Sequence, residues 1–254
     1  MVEIKYREKI QGYSVDLKTF DEAVAFINKA AENTEGLQVV TINPEMIELA
    51  NKNSEFAQIL NSSGLVVPDG VGIKIALKLK GINQEQVRGI DLAKKSLELC
   101  SQKGYKCALI GAKPHVIEKA VDNLKSEISN LDIAYYKDGY FSQEEEENII
   151  NELIQAKPQL VLVALGAPKQ EIFIKKCLEL HKAVYIGVGG SFDVWAGEVE
   201  RAPEIFQKTG FEWLYRTISQ PQRFKRIYKT LPLFLFKAII EAVRDKFKNS
   251  PERK

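Results

Sequence analysis

The sequence predicts an α/β protein with a mostly parallel β-sheet flanked by helices. Short apolar runs recur along the chain, helical patterns separate them, and most runs end in glycine or polar residues. Buried parallel strands have this appearance, and strands that alternate with helices form parallel sheets. The predicted strands are residues 37–40, 65–67, 107–110 and 133–136, together with the apolar runs that open segments 160–171 and 186–203.

The helical spacing is clearest in two segments. One follows a predicted N-terminal cap at Asp21, and the other runs from Asp91 to a stop at Gly104. A chain of 254 residues, 45% hydrophobic and 28% charged, is long enough for one full core and an appendage. We therefore expect a body of residues 1–196 followed by an appendage of residues 197–254.

The cysteine and histidine content predicts neither a disulfide framework nor a metal site. The three cysteines form no CxxC pair, which favours a reducing compartment and three small buried side chains. The two histidines belong to no ligand-spaced cluster, so no metal and no cofactor is expected. The N-terminal ten residues lack the apolar segment of a signal peptide, which predicts a cytoplasmic protein.

The C-terminal segment is both basic and apolar. Residues 201–254 hold 13 lysines and arginines against 5 aspartates and glutamates. The apolar run 231–243 is too short to span a bilayer, and Lys237 and Glu241 interrupt it. Two interpretations stay open: an element on an anionic membrane surface, or a helix docked on the body. No nucleic-acid partner is predicted, because no known nucleic-acid module is present.

Several functional motifs are absent from the sequence. The GxGxxG fingerprint fails after Gly187, and neither a P-loop nor a GxSxG elbow occurs. A nicotinamide-dependent oxidoreductase is thus a weaker alternative. There is also no DxD pair to hold a divalent metal on a diphosphate. If a diphosphate binds, arginine side chains or backbone N–H groups must neutralise it.

Six motifs, in order along the chain, resemble the WecG/TagA/CpsF glycosyltransferase family, and the similarity covers essentially the whole sequence. They are TINPEM (41–46), PDGVGI (68–73), LGAPKQE (165–171), GVGGSFDVWAG (187–197), ERAP (200–203), and EWLYR with QPQRFKR (212–226). The resemblance implies a Rossmann-like fold with a C-terminal appendage. It also implies a protein peripheral to the inner face of the cell membrane.

The activity implied by the resemblance is an inverting, metal-independent sugar transfer. The donor would be UDP-N-acetylmannosamine, and the acceptor would be N-acetylglucosamine linked to undecaprenyl diphosphate. The product would carry a β-1,4 bond in the synthesis of teichoic acid or a related cell-surface polymer. A different UDP-sugar, such as N-acetylmannosaminuronic acid or a hexose for exopolysaccharide, stays open.

The resemblance makes Asp69 the general base and Thr41 a residue that orients the substrate sugar. An inverting displacement needs a carboxylate to take the proton of the attacking hydroxyl. Pro-Asp-Gly is also ordinary turn chemistry, so a structural role for Asp69 is the alternative. Asn43 is a candidate substrate ligand, and before Pro44 it is equally a helix cap.

Further substrate-binding residues follow from the resemblance. Gln170 can both donate and accept hydrogen bonds, Asp193 can accept from uracil or ribose, and Tyr140 can stack on the base. Glycines on the same rim would let a nucleotide approach the backbone, although each also suits a turn; they are Gly70, Gly111, Gly166, Gly189 and Gly190.

Three tail arginines are candidate diphosphate ligands. Arg223 and Arg226 share a face if their segment is helical, and Arg216 can join them from the preceding segment. Guanidinium groups would supply the charge stabilisation that a metal supplies elsewhere. A solvated basic face is the alternative. A non-catalytic membrane-binding module remains a third function class, and the sequence leaves homo-oligomerisation open.

Overall fold

A computed structural model of the chain describes residues 7–203, 206, 215 and 221–248, and within the last range the side chains of 230–247. Its strands are β1 (Arg7–Ile10), β2 (Tyr13–Asp16), β3 (Leu37–Ile42), β4 (Leu65–Pro68), β5 (Lys106–Gly111), β6 (Asp132–Lys137), β7 (Leu160–Ala164) and β8 (Val184–Gly187). Strands β3 to β8 form one sheet in the order β4-β3-β8-β7-β5-β6, with every neighbouring pair parallel. The α/β class and all six predicted strands are confirmed.

Strands β1 and β2 form a separate antiparallel hairpin that the sequence pattern did not predict. Its two turn residues have positive φ, 50° at Gln11 and 87° at Gly12, as the type I′ hairpin turn requires. The buried Asp16 accepts two hydrogen bonds from the Arg7 guanidinium, at 2.7 and 2.9 Å, and one from the Val66 N–H, at 2.7 Å. Asp16 therefore fixes the hairpin against the edge strand β4.

The helices cover both faces of the sheet. They are α1 (Phe20–Glu32), α2 (Pro44–Ala50), α3 (Ser54–Ser62), α4 (Val71–Leu79), α5 (Gly89–Lys103), α6 (Pro114–Glu127), α7 (Gln143–Ala156), α8 (Lys169–Leu180), α9 (Ser191–Trp195) and α10 (Pro221–Lys248). The cap predicted at Asp21 is wrong. Thr19 caps α1, because its side chain and that of Glu22 satisfy each other's backbone N–H groups, which leaves Asp21 in the first turn.

Alternate residues of the strands pack into hydrophobic cores on opposite faces of the sheet. Val39 and Leu109 pack with α1, α5 and α6, whereas Val40 packs with α2, α3 and α4, and Ala108 with α7 and α8. All three cysteines are buried and free, as the composition predicted. This two-sided burial explains why the strands read as continuous apolar runs.

Helix α10 docks on the body through one of its faces. Phe234 is fully buried and Ala238 is nearly so, in the core that α2 and α4 also form, and Ala242 is buried as well. The Lys237 Nζ lies 2.8 Å from both carboxylate oxygens of the buried Glu48. Residues 230–247 are therefore docked on the body, which is one of the two interpretations of the tail.

The β1–β2 turn and Lys80 hold the same helix. The Gln11 N–H donates to the Glu241 carboxylate at 2.9 Å, and the Gln11 side chain donates to the Phe234 carbonyl at 2.9 Å. Lys80 forms ion pairs with Glu241 and with Asp245. The docked part of α10 thus has apolar, ionic and backbone contacts to the body.

The opposite face of α10 carries an exposed row of large apolar side chains, which we call the apolar stripe: Leu233, Phe236, Ile239, Ile240, Val243 and Phe247. Their spacing places them on one side of an α-helix. Arg244 and Lys246 lie at the two edges of this side. Within the described residues, no helix has the length and apolar content needed to cross a bilayer.

Candidate active site

A cavity of about 240 Å³ lies at the carboxyl ends of β3, β4 and β8. It brings together five of the predicted site residues, namely Thr41, Asn43, Asp69, Gly70 and Gly190. Ligands of open parallel sheets bind at this edge, where the loops that follow the strands converge. The first described side chains of α10, Thr230 and Leu231, also line the cavity, so the C-terminal helix forms part of its wall.

Asp69 directly follows β4, and its carboxylate is oriented by the loop before α5. The Gln86 side-chain amide donates to Asp69 Oδ1 at 3.0 Å, and the Gly89 N–H donates to Oδ2 at 3.3 Å. The loop itself is fixed, because the Val87 N–H donates to the Pro68 carbonyl at 2.8 Å. Asp69 is therefore a positioned carboxylate on the cavity wall, and its role as the general base stays a prediction.

Thr41 lies next to the start of α5. A Cβ atom on Gly89 would lie 3.0 Å from both Thr41 Oγ1 and Cγ2, so a side chain at this position would require Thr41 to shift. The threonine hydroxyl and the Asp69 carboxylate both lie on the cavity wall, on neighbouring strands β3 and β4. Together they offer a proton acceptor and a hydroxyl within one site.

Asn43 is both a helix cap and a cavity residue. Its side-chain oxygen accepts a hydrogen bond from the Met46 N–H at 3.1 Å, and Pro44 occupies the first helical position of α2. The capping alternative is therefore confirmed, while the amide NH2 group remains a donor on a residue that lines the cavity. Its role toward a ligand stays a prediction.

Gln170 is buried, and its amide serves the protein itself. Its Oε1 accepts from the N–H groups of Gly166 and Gly189, both at 3.2 Å, and its Nε2 donates to Glu171 Oε1 at 2.7 Å. The amide thus ties the loop after β7 to the loop after β8. Gln170 shapes the rim from inside, and direct contact with a ligand stays a prediction.

Glu171 is an acid that the sequence pattern did not single out. Only 1% of its surface is exposed, and its Oε2 has no hydrogen-bond partner among the described residues. Burial raises the pKa of this carboxyl to about 7 because the charged form is poorly solvated, although the Gln170 amide opposes the shift. The neutral form of this carboxyl is therefore favoured more than it would be in water.

The remaining predicted nucleotide ligands do not line the cavity. Gly111 is the last residue of β5 and Gly166 follows β7, both on the adjoining part of the same rim. Tyr140 follows β6, with 70% of its surface exposed. Asp193 lies in the short helix α9, and Gly189 lies just before it. The rim therefore has two parts, the cavity and an adjoining open segment around Tyr140.

The three tail arginines fall outside what the structure describes. Arg216 lies outside the described residues, and the side chains of Arg223 and Arg226 lie outside the described part of α10. Their proposed contact with a diphosphate stays a prediction. Within the described residues no cluster of three or more histidine, cysteine, aspartate or glutamate side chains is arranged to hold a metal ion.

The cavity also contains residues that no sequence signal had indicated. Gln86 and Arg88 come from the connection between α4 and α5, which has neither helical nor strand periodicity. Arg88 forms an ion pair with Asp91 at 2.9 Å, and the same carboxylate binds Arg201, which is 110 positions later. A contact between residues so far apart in the chain is set by the fold, so the sequence pattern could not indicate it.

A carboxylate, a hydroxyl and amide groups gathered at the carboxyl edge of a parallel sheet define an α/β enzyme for a polar substrate. The family model described as "Glycosyl transferase WecG/TagA/CpsF family" matches residues 8–248, nearly the whole chain. The chain belongs to this family of glycosyltransferases, as its six motifs predicted.

Two curated relatives share one name, N-acetylglucosaminyldiphosphoundecaprenol N-acetyl-beta-D-mannosaminyltransferase. The protein of Bacillus subtilis (strain 168) is 37% identical over 221 residues, which cover 86% of this chain and 85% of the relative. That of Bacillus spizizenii is 36% identical over 198 residues, with 77% and 76% covered. The names describe sugar transfer to a lipid-linked diphosphate acceptor.

Proposed function

We propose that this protein transfers N-acetylmannosamine from UDP-N-acetylmannosamine to N-acetylglucosamine linked to undecaprenyl diphosphate, in teichoic acid or related polymer synthesis. The names of the two relatives support the transferred sugar and the acceptor. The observation that carries the proposal is the Asp69 carboxylate, held by Gln86 and Gly89 on the wall of the rim cavity.

In the proposed step Asp69 takes the proton of the acceptor hydroxyl as its oxygen attacks the anomeric carbon of the donor. The bond to the nucleotide diphosphate breaks on the opposite side, so the configuration inverts. Thr41 hydrogen-bonds and orients a substrate sugar, and Asn43 offers its NH2 group to the same substrate. The product leaves with the new β-1,4 bond, and UDP carries away the negative charge.

The donor nucleotide is proposed to bind along the adjoining part of the rim. Tyr140 is exposed and can stack on uracil, and Asp193 can accept a hydrogen bond from the base or ribose. Gln170 shapes the loops beside it through its contacts to Gly166 and Gly189. Gly70, Gly111 and Gly190 allow close approach of the backbone to the ligand.

The leaving diphosphate is proposed to be stabilised by Arg216, Arg223 and Arg226 without a divalent metal. Guanidinium groups can supply positive charge where negative charge develops during phosphate departure. Transfer should therefore persist in excess chelator. Loss of transfer on chelation, with recovery on adding Mg²⁺ or Mn²⁺, would contradict this part of the proposal.

The apolar stripe of α10 is proposed to rest on the inner face of the cell membrane. Its six side chains are exposed although the helix is docked, and Arg244 and Lys246 flank them. A helix with an apolar face and cations at its edges lies in the interface of an anionic bilayer. Leu231 lines the cavity on the same helix, so this orientation would bring the cavity close to the lipid-linked acceptor.

A donor competition assay tests the proposed function. Purified protein is given a lipid-linked N-acetylglucosaminyl diphosphate analogue with UDP-N-acetylmannosamine, UDP-N-acetylglucosamine, UDP-N-acetylmannosaminuronic acid or a UDP-hexose. The proposal predicts the highest kcat/KM for N-acetylmannosamine. Preference for another donor would keep the class and correct the sugar, and binding of NAD in place of UDP would contradict the class.

A further inference from the structure

A buried amide and a buried carboxyl lie between the loops that follow β7 and β8. The Gln170 Oε1 accepts hydrogen bonds from the N–H groups of Gly166 and Gly189, both at 3.2 Å. Gly166 lies in the loop after β7, on the open segment of the rim, whereas Gly189 precedes the cavity residue Gly190 in the loop after β8. The amide therefore joins the two parts of the rim that the proposed reaction assigns to the donor and to the acceptor.

The surrounding groups determine the orientation of the Gln170 amide. Two backbone N–H groups face one end of the amide, so the atom at that end must be its oxygen. The NH2 group therefore lies at the other end, where Glu171 Oε1 accepts from it at 2.7 Å. A carboxyl offers an acceptor oxygen in its charged and in its neutral form. This contact with Glu171 thus keeps the amide oxygen turned toward both loops in either protonation state.

Two neighbouring strands fix the position of the Glu171 carboxyl. On β3, the side chain of Gln38 donates to the Glu171 carbonyl at 3.2 Å. On β8, a Cβ atom at Gly187 would lie 2.6 Å from Gln170 Nε2 and 3.2 Å from Glu171 Oε1, so the absence of a side chain leaves room for the pair. Only 1% of Glu171 is exposed, and a carboxyl buried in this way lowers stability unless its contacts offset the loss of water. The acceptor that it offers to Gln170 is a contact that an apolar side chain could not supply.

We propose that Glu171 is a positioning residue for sugar transfer, which holds the loops after β7 and β8 in a fixed relative position through the Gln170 amide. Glu171 acts through Gln170 and contacts neither substrate. The inference rests on the proposed function, because that function assigns the donor to one loop and the acceptor to the other. Loss of the acceptor oxygen leaves each loop able to bind its own substrate but relaxes the distance between the two. The reacting atoms then meet less often in the productive geometry, so kcat falls while KM for each substrate changes little.

Two substitutions of Glu171 separate the acceptor oxygen from the charge. Methionine has a similar length and at most a weak acceptor, whereas glutamine keeps an acceptor oxygen without the charge. Glu171→Met should lower kcat about tenfold to a hundredfold and change KM for donor and acceptor by about twofold or less, because small misplacements of reacting groups cost this much. Glu171→Gln should keep kcat close to that of the unmodified chain. Glu179→Met, at an exposed position of the same helix, is the matched control and should change neither constant.

Hydrogen exchange of backbone amides, followed by NMR, gives a measurement that does not depend on turnover. In Glu171→Met the N–H groups of Gly166 and Gly189 should exchange about five- to tenfold faster, because the amide that accepts from them is no longer held. Glu171→Gln should leave both rates unchanged. The Val184 N–H donates to the Gln159 carbonyl at the opposite end of the same two strands, at 3.0 Å, and serves as the internal reference. Its exchange rate should be equal in all variants.

Full kcat in a folded Glu171→Met protein, or unchanged exchange at both glycines, overturns the inference. Equal losses of kcat in Glu171→Met and Glu171→Gln also overturn it, because the acceptor oxygen would then not be what matters. If Glu171→Met does not fold, Gly187→Ala takes its place, since the added Cβ would displace Gln170 Nε2 while Glu171 stays, and the same changes are expected. An unmodified chain that transfers no sugar would overturn the proposed function. The exchange rates would in that case still decide whether Glu171 holds the two loops together.

Discussion

Two phenylalanines on α10, one buried against the body and one exposed to solvent, allow the docking of this helix to be tested. Phe234 is fully buried between the body and the helix, whereas Phe236, two residues later, has 63% of its surface exposed. Removal of a buried phenylalanine side chain costs about 3–5 kcal/mol, through lost burial and the cavity left behind. Phe234→Ala should therefore lower the free energy of unfolding by about that amount. In a protein of this size the melting temperature should fall by roughly 10 °C.

Phe236→Ala is the matched control in urea unfolding, because it removes the same atoms from a solvent-facing position. Its free energy of unfolding should change by about 0.5 kcal/mol or less. Binding to vesicles of anionic phospholipid should show the opposite order. Phe236→Ala should weaken partitioning about tenfold to a hundredfold, since burial of a phenylalanine is worth about 1.5–3 kcal/mol. Equal stability of the two variants would show that α10 is not docked in solution and would refute the packing argument.

Two further predictions concern the rim. Burial raises the pKa of Glu171 to about 7, above the value near 4.3 in an unfolded chain, so the folded state binds the extra proton and stability falls as the pH rises from about 4.5 to about 7. In urea unfolding, Glu171→Gln should remove about 2–3 kcal/mol of this pH-dependent loss in the free energy of unfolding. The exposed Glu179→Gln on the same helix is the control and should leave the loss unchanged. Equal pH dependence of both variants would contradict the assignment. Gln86→Leu removes a hydrogen bond to the charged form of Asp69, so the acidic limb of the kcat/KM profile should move to higher pH. An unmoved limb would show that Gln86 does not act on the base.

The sheet was predictable because its central strands are buried on both faces. A continuous apolar run of five residues, such as 160–164, is typical of a parallel strand when helical segments lie on either side of it in the chain. The hairpin escaped prediction because its strands have four residues each and one of them, β1, is largely polar. The cap of α1 was misplaced by two residues, because Thr19 and Asp21 are both good capping residues and only their backbone contacts separate them.

The site was predictable where a residue lies at the end of a strand. Asp69 and Thr41 are of this kind, because the end of a parallel strand fixes the position on the rim. Gln86 and Arg88 come from a connection without periodicity, which the hydrogen bond from the Val87 N–H to the Pro68 carbonyl helps to hold at the cavity. Gln170 shows the converse case. The sequence indicates a polar residue on the rim, but only the structure reveals that its amide is turned inward to the loops after β7 and β8.

The most direct test of the account is the turnover of Asp69→Asn. This change keeps the size of the side chain and the cavity but removes the proton acceptor. The account predicts that transfer to a lipid-linked acceptor analogue falls roughly a hundredfold or more. UDP affinity and the urea unfolding midpoint should stay close to those of the unmodified chain. Near-normal turnover by a folded Asp69→Asn protein would contradict the assignment of Asp69 as the base.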